Sequence, residues 1–183
     1  NPNTVYAAAI GNPFAPHPER GVFKSTDGGE TWNKILYTND SSGCAELVMD
    51  PSNPNKLIAN MWQHRRTPWD FKSGGTGSGL YITVDGGKNW KKLGKDDGLP
   101  DGNYGRIGLA FAYSDSRRVY AMVEAGKNGL YRSDDGGMKW ELVNSDARWV
   151  TNRPFYFQDI RVDTKNENRL YNIHDMVEVS EDG

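Results

Sequence analysis

Three segments of this 183-residue chain repeat one another: Ser25-Thr-Asp-Gly-Gly-Glu-Thr-Trp32, Thr83-Val-Asp-Gly-Gly-Lys-Asn-Trp90 and Ser133-Asp-Asp-Gly-Gly-Met-Lys-Trp140. A fourth copy begins at Ser180-Glu-Asp-Gly183. The shared aspartates, Asp27, Asp85, Asp135 and Asp182, fall 58, 50 and 47 residues apart. A period near 50 residues restricts the chain to repeated supersecondary units, and one four-stranded propeller blade has about that size. Composition agrees. With 21 Gly, 6 Trp, 9 Tyr and 6 Phe, turn formers and flat apolar side chains abound, which suits many short strands.

Alternating apolar residues and the turn formers between them divide each unit into strands, A to D in chain order. In the third unit these are expected at 106–112, 118–124, 129–133 and 140–143. The second unit has 45–50, 56–62, 79–83 and 90–93. The first starts at its B strand, 4–10, and continues with 21–25 and 32–36; the fourth has 158–163, 169–174 and 176–180. The expected fold is therefore all-β, an incomplete propeller of about three and a half four-stranded antiparallel blades. The blades are expected at 1–38 (lacking an A strand), 44–94, 105–144 and 157–183. A propeller closes with roughly 4–8 blades, so the remaining blades are expected elsewhere in a longer chain.

The repeated segment joins strands C and D. An Asp there can accept hydrogen bonds from its own turn, Gly supplies positive φ, and the Trp can cover the hairpin. The pattern resembles the Asp-box, or BNR, repeat of sialidases, other glycoside hydrolases and sortilin-type propellers. Trp62-Gln-His-Arg-Arg-Thr-Pro-Trp-Asp-Phe71 and Gly74-Gly-Thr-Gly-Ser-Gly-Leu-Tyr81 resemble bacterial secreted proteins with a sortilin-like propeller. Such proteins are often labelled glycosyl hydrolases through their Asp-boxes. The resemblance implies a secreted, periplasmic or cell-surface location.

Strand direction alternates, so the Asp-boxes share one face with the short A–B turns. The opposite face carries the long connections 11–20, 63–78, 94–105 and 144–157. Long loops on a rigid scaffold are where sites tend to reside. The Asp-box residues Asp27, Trp32, Asp85, Trp90, Asp135, Trp140 and Asp182 read as structural, because the same turn recurs in every unit. The ligand-binding candidates are Arg65, Arg66, Trp69, Asp70, Tyr104 and Arg153: guanidinium groups grip anions and aromatic faces stack on sugars. Glu46 and Asp159 share a register on A strands, near the channel mouth, and with Asp70 they are the catalytic candidates. Hydrolysis of a glycoside needs two carboxylates at a set separation. Arg65, Arg66, Arg106 and Arg153 with Tyr104 or Tyr156 supply the residue types of a sialidase, but in no recognisable sialidase motif.

Other classes recede. The net charge of −2 lacks the basic excess of a general nucleic-acid binder. No apolar run approaches the roughly 18 residues of a membrane helix. His17, His64 and His174 show no metal-ligand spacing, and Asp96, Asp97, Asp101 and Asn103 read as a solvated loop rather than a Ca²⁺ loop. No metal or other cofactor is expected. Cys44, the single cysteine, reads as a small buried hydrophobe. Two functions remain: a module binding protein, peptide or glycan through its long loops, and a glycoside hydrolase acting on an extracellular polysaccharide.

Overall fold

The computed structural model describes residues 1–150 and 153–183. Thr151 and Asn152, which belong to the expected connection 144–157, lie outside the described residues. The strands form four sheets in chain order. The first joins β1 (Val5–Ala9), β2 (Gly21–Ser25) and β3 (Asn33–Leu36). The second runs β4 (Ser42–Asp50), β5 (Asn53–Arg66), then β7 (Gly79–Thr83) and β8 (Lys91–Leu93), with β6 (Phe71–Ser73) also paired to β5. The third orders β9 (Ile107–Phe111), β10 (Val119–Val123), β11 (Gly129–Ser133) and β12 (Glu141–Asn144). The fourth has β13 (Asp159–Val162), β14 (Leu170–Ile173) and β15 (Val177–Ser180). All pairings are antiparallel. A 3-10 turn at Lys95–Asp97 is the one helical element among the described residues.

The sheets stack face to face as propeller blades, with β1 beside β4, β4 beside β9 and β9 beside β13. Each interface buries its own apolar layer. Ile58, Leu80, Ile82 and Leu93 of the second sheet meet Leu109, Phe111, Tyr131 and Trp140 of the third. Tyr120 and Met122 meet Ile160 and Leu170 of the fourth, and Val22 and Leu36 meet Cys44, Ala59 and Met61 between the first and second. Burial raises the Cys44 thiol far above its ordinary value, as expected for a thiol acting as a hydrophobe.

The Asp-boxes form one device used four times. Asp85 accepts from the Asn89 amide at 2.9 Å and from the Thr83 hydroxyl at 2.8 Å; Asp135 accepts from the Met138 and Lys139 amides at 2.9 Å. Asp27 accepts from the Thr31 amide at 2.9 Å, and Asp182 from the Ser180 hydroxyl at 2.8 Å. The first box glycine then donates across to the A–B turn of its own sheet. The pairs are Gly28 to Asn3, Gly86 to Asn55, Gly136 to Arg117 and Gly183 to Asn168, at 2.7–3.0 Å. Positive φ at Gly28, Gly86, Gly136 and Gly183 permits this crossing.

The box tryptophans, each able to cover its hairpin, differ in exposure. Trp140 is 5% exposed, Trp90 half-buried and Trp32 42% exposed. Trp140 packs against a complete second sheet and Trp90 against the three-stranded first, while no described sheet precedes Trp32.

Asp135→Ala is expected to lower stability by about 1–2 kcal/mol, the loss typical of a side chain that caps turn amides. Acid acts on the same device. Hydrogen bonds from the Asn89 amide and side chain and the Thr83 hydroxyl hold Asp85 down to about 2. A depressed folded-state pKa contributes stability above the unfolded value near 4. That stability is lost as pH falls from about 4 toward 2, and denaturation at pH 7 and pH 3, wild type against Asp135→Ala, measures both effects.

Candidate functional site

Parts of three long connections, 11–20, 63–78 and 153–157, meet beyond the sheet ends opposite the Asp-boxes, and one of them is more regular than the sequence suggests. No Gly or Pro interrupts Trp62-Gln-His-Arg-Arg66, so β5 runs 14 residues instead of ending near Trp62. It turns through Thr67-Pro68-Trp69-Asp70, where the Thr67 amide donates to the Asp70 carbonyl at 2.8 Å and the Asp70 amide to Thr67 Oγ1 at 3.0 Å. β6 returns with Arg66 opposite Phe71, Arg65 opposite Lys72 and His64 opposite Ser73. Trp69 stands at the tip, 86% exposed. Asp70 is exposed beside it, and its carboxylate has no partner among the described residues.

One side of this hairpin meets residues 153–157, from the connection between the third and fourth sheets. Phe71 lies 4.8 Å from Phe155 and 6.3 Å from Tyr156, and Trp62 packs edge-on to Phe155 at 5.1 Å while stacking on His64 at 4.4 Å. Arg66 covers both Phe71 and Tyr156, at 5.8 and 5.9 Å, and Arg153 covers Tyr156 at 5.9 Å. Such cation–π contacts hold guanidinium groups against ring faces. Arg153 has φ 55°, a left-handed conformation unusual for a residue with a Cβ.

A polar chain beneath the rings fixes them. The Trp62 Nε1–H donates to Ser73 Oγ at 3.0 Å, which donates to Glu124 Oε2 at 2.6 Å; the Arg106 amide donates to the same oxygen at 2.7 Å. Arg106 Nη1 donates to the Tyr156 carbonyl at 3.2 Å. The second sheet, the third and the connection that follows the third thereby hold one aromatic surface in place.

The structure separates the other candidates. Arg65 turns from the aromatic cluster toward Ala15, Pro16 and Arg20. Tyr104 is no surface residue: it is 4% exposed, lies in the core and donates its hydroxyl to the Pro100 carbonyl at 2.8 Å. Leu99 and Ile107 surround its ring because the connection from β8 folds back into the interface. Asp97 is not solvated either; it is buried and bonded to Lys91 Nζ at 2.7 Å and Lys139 Nζ at 3.3 Å, which hold its carboxyl below the usual range. Among the described residues no group of three His, Cys, Asp or Glu is placed to hold a metal ion.

Glu46 on β4 and Asp159 on β13 lie near one another. Burial, then the Asp159 charge, raises the Glu46 carboxyl, opposed by Arg161 and Arg106. Asp159 forms an ion pair with Arg161. The groove of about 350 Å³ along these strands is lined by Glu46, Val48, Leu109, Phe111, Tyr113 and Arg161, and no Trp lines it.

A cavity of about 620 Å³ lies between the third and fourth sheets against Met122, Leu130, Leu142, Ile160 and Leu170. Its floor includes Glu178 and Ser180, whose register matches Tyr131 and Ser133 of the sheet before. Between the second and third sheets Tyr131 and Trp140 belong to the core that fills the corresponding space. This cavity is a packing slot.

Sequence reasoning missed Phe155 as the centre of the ring cluster, and Arg20 and Lys72 as neighbours of Arg65. The run Phe155-Tyr156-Phe157 in a loop was the available signal for the first.

A BNR/Asp-box repeat model matches residues 23–34 and 81–92. The xyloglucanase Xgh74A of Acetivibrio thermocellus is 27% identical over 172 residues, covering 78% of this chain and 18% of its own length. A xyloglucanase of Paenibacillus sp is 25% identical over 182 residues, covering 93% and 15%. The chain thus spans less than a fifth of these relatives. Among solved structures, the GH74 xyloglucanase of Xanthomonas campestris superposes with a TM-score of 0.67 at 14% identity, covering 92% of this chain and 25% of that one. The GH74 enzyme of Niastella koreensis gives 0.64 at 20% identity, covering 98% and 27%. The chain carries Asp-box repeats and has a β-propeller fold.

Proposed function

We propose that this chain is part of an extracytoplasmic β-propeller protein that binds a neutral β-linked polysaccharide of the xyloglucan class on its loop-rich face. In this reading the four sheets at 1–38, 44–94, 105–144 and 157–183 are successive blades, and the remaining blades belong to the same protein. The observation that carries it is the aromatic surface at the hairpin: Trp69 at 86% exposure, with Phe71, Tyr156 and Phe157 between 42 and 48%. Large apolar side chains so exposed and so close together mark interaction sites, and sugar rings stack on such faces. Arg66, Arg153 and Asp70 supply donors and acceptors for hydroxyl groups. Likeness to xyloglucanases supports the polysaccharide class. The test is retention of the full-length protein on immobilised xyloglucan, mixed-linkage glucan and unrelated polysaccharides. Retention on xyloglucan is expected; a protein that passes through every matrix sinks the reading.

A second reading, hydrolysis, rests on Glu46, whose raised carboxyl suits a general acid. The ion-paired Asp159 and the absence of Trp from the groove lining weigh for binding. A folded-state pKa raised above the unfolded value means that ionising Glu46 opposes folding as pH rises past about 4.3. Glu46→Gln is therefore expected to leave stability at pH 7 unchanged or raise it by up to about 1 kcal/mol, with any polysaccharide hydrolysis intact. Hydrolysis lost in a folded Glu46→Gln protein establishes the second reading.

A further inference from the structure

The far side of the β5–β6 hairpin carries a different chemistry. A cavity of about 200 Å³ lies between the hairpin and the connection from β1 to β2, lined by Arg20, Arg65, Lys72, His64, Gln63 and Ser41, with Ala15 and Pro16. Three cations and a histidine line it, and no carboxylate does. Arg65 and Lys72 face each other directly across the two strands, an arrangement of like charges that opposes pairing unless something neutralises it. Neither side chain forms a hydrogen bond or ion pair among the described residues, and the Arg65 Nε is buried without a partner.

Arg20 is 1% exposed, and its Nε is also unpartnered. Its other nitrogens donate to the carbonyls of Ser41 at 3.3 Å, Ala15 at 3.1 Å and Asn12, and Nη1 lies 3.5 Å from His64 Nδ1. No carboxylate touches it. Asp40, the acid whose charge it feels, is exposed and accepts from the Tyr37 hydroxyl. A buried cation without an anionic partner is costly, so this concentration of positive charge is a feature to be explained. Three carbonyls explain how Arg20 is held, but they leave Arg65 and Lys72 without partners.

We propose that this cavity is an oxyanion site, taking one carboxylate or sulfate group between Arg65 and Lys72 above the buried charge of Arg20. Guanidinium groups bind such anions through paired, charge-assisted hydrogen bonds. The volume is below the roughly 300–1,000 Å³ of pockets that enclose a drug-sized ligand, so the site takes a single group and not an oligosaccharide. The anion is either an acidic substituent of a sugar or a free inorganic ion. The site is independent of whether the aromatic face binds neutral glycan.

Calorimetric titration of the full-length protein with sodium sulfate, sodium glucuronate and glucose, at constant ionic strength in chloride, tests this. Saturable binding of at least one anion is expected, with none for glucose. Binding of glucuronate assigns the site to an acidic sugar, and binding of sulfate alone assigns it to sulfate esters or the free ion. Arg65→Gln and Lys72→Gln should each weaken the anion about tenfold, with far-UV circular dichroism unchanged, the change expected for one lost charge-assisted contact. Arg20 is left intact, since it secures three carbonyls. No saturable binding of either anion, equal binding of glucose, or affinity unchanged in both folded variants overturns the proposal.

Discussion

Trp140→Ala is expected to destabilise the protein by about 3–5 kcal/mol, the range for truncating a buried Trp. Trp140 is 5% exposed and belongs to the core between the second and third sheets, with Ile58, Leu80, Leu93 and Leu109. Its Nε1–H donates to the Gly137 carbonyl at 3.0 Å, and its amide donates to the Asp97 carbonyl at 2.8 Å. Truncation would leave a cavity between two blades, in a layer that β-strands cannot readily collapse. Trp32→Ala is the control. Trp32 makes the equivalent Nε1 hydrogen bond, to Gly29 at 3.0 Å, but is 42% exposed, so its removal should cost about 1 kcal/mol or less. Denaturant titration of both variants measures the difference. Equal losses would contradict the account of Asp-box tryptophans as wedges against the preceding blade.

The second large effect concerns ligand. Trp69→Ala should weaken polysaccharide binding by about 2 kcal/mol, close to thirtyfold, while stability changes by no more than about 0.5 kcal/mol. The two effects separate because Trp69 is 86% exposed at the hairpin tip and buries little of itself in the fold. Arg66→Ala should act differently. Its guanidinium covers Phe71 and Tyr156, so its loss loosens the ring surface as well as removing donors. A Trp69→Ala protein that binds as tightly as wild type would assign that side chain no part in recognition.

The repeat made the fold legible. Gly79–Thr83 and Gly129–Ser133 are strands to the residue, because the Asp-box fixes where each C strand must end. Burial was less legible, since it depends on neighbours that local pattern does not reveal. Trp32 and Trp140 occupy the same motif position and differ in exposure because the second sheet precedes Trp140 and no described sheet precedes Trp32. Tyr104 failed as a surface candidate for a related reason: a connection rich in Asp, Gly and Pro still turns Leu99 and Tyr104 into the core. Arg66 and Trp69 were visible as a constellation in one loop. The grouping of Arg66 and Phe71 with Phe155 and Tyr156, more than 80 residues away, required the stacking of blades.

The most direct test of the binding face is hydroxyl-radical footprinting of the full-length protein, read by mass spectrometry with and without xyloglucan oligosaccharide. Trp69 and Tyr156, both accessible in the free protein, should be oxidised readily and then protected by the ligand. Trp32, at the opposite end with the Asp-boxes, should oxidise at the same rate in both samples. Protection confined to 66–71 and 153–157 is the predicted result. Bound oligosaccharide that leaves Trp69 and Tyr156 unprotected, or that protects Trp32 instead, would contradict the loop-rich face as the site of recognition.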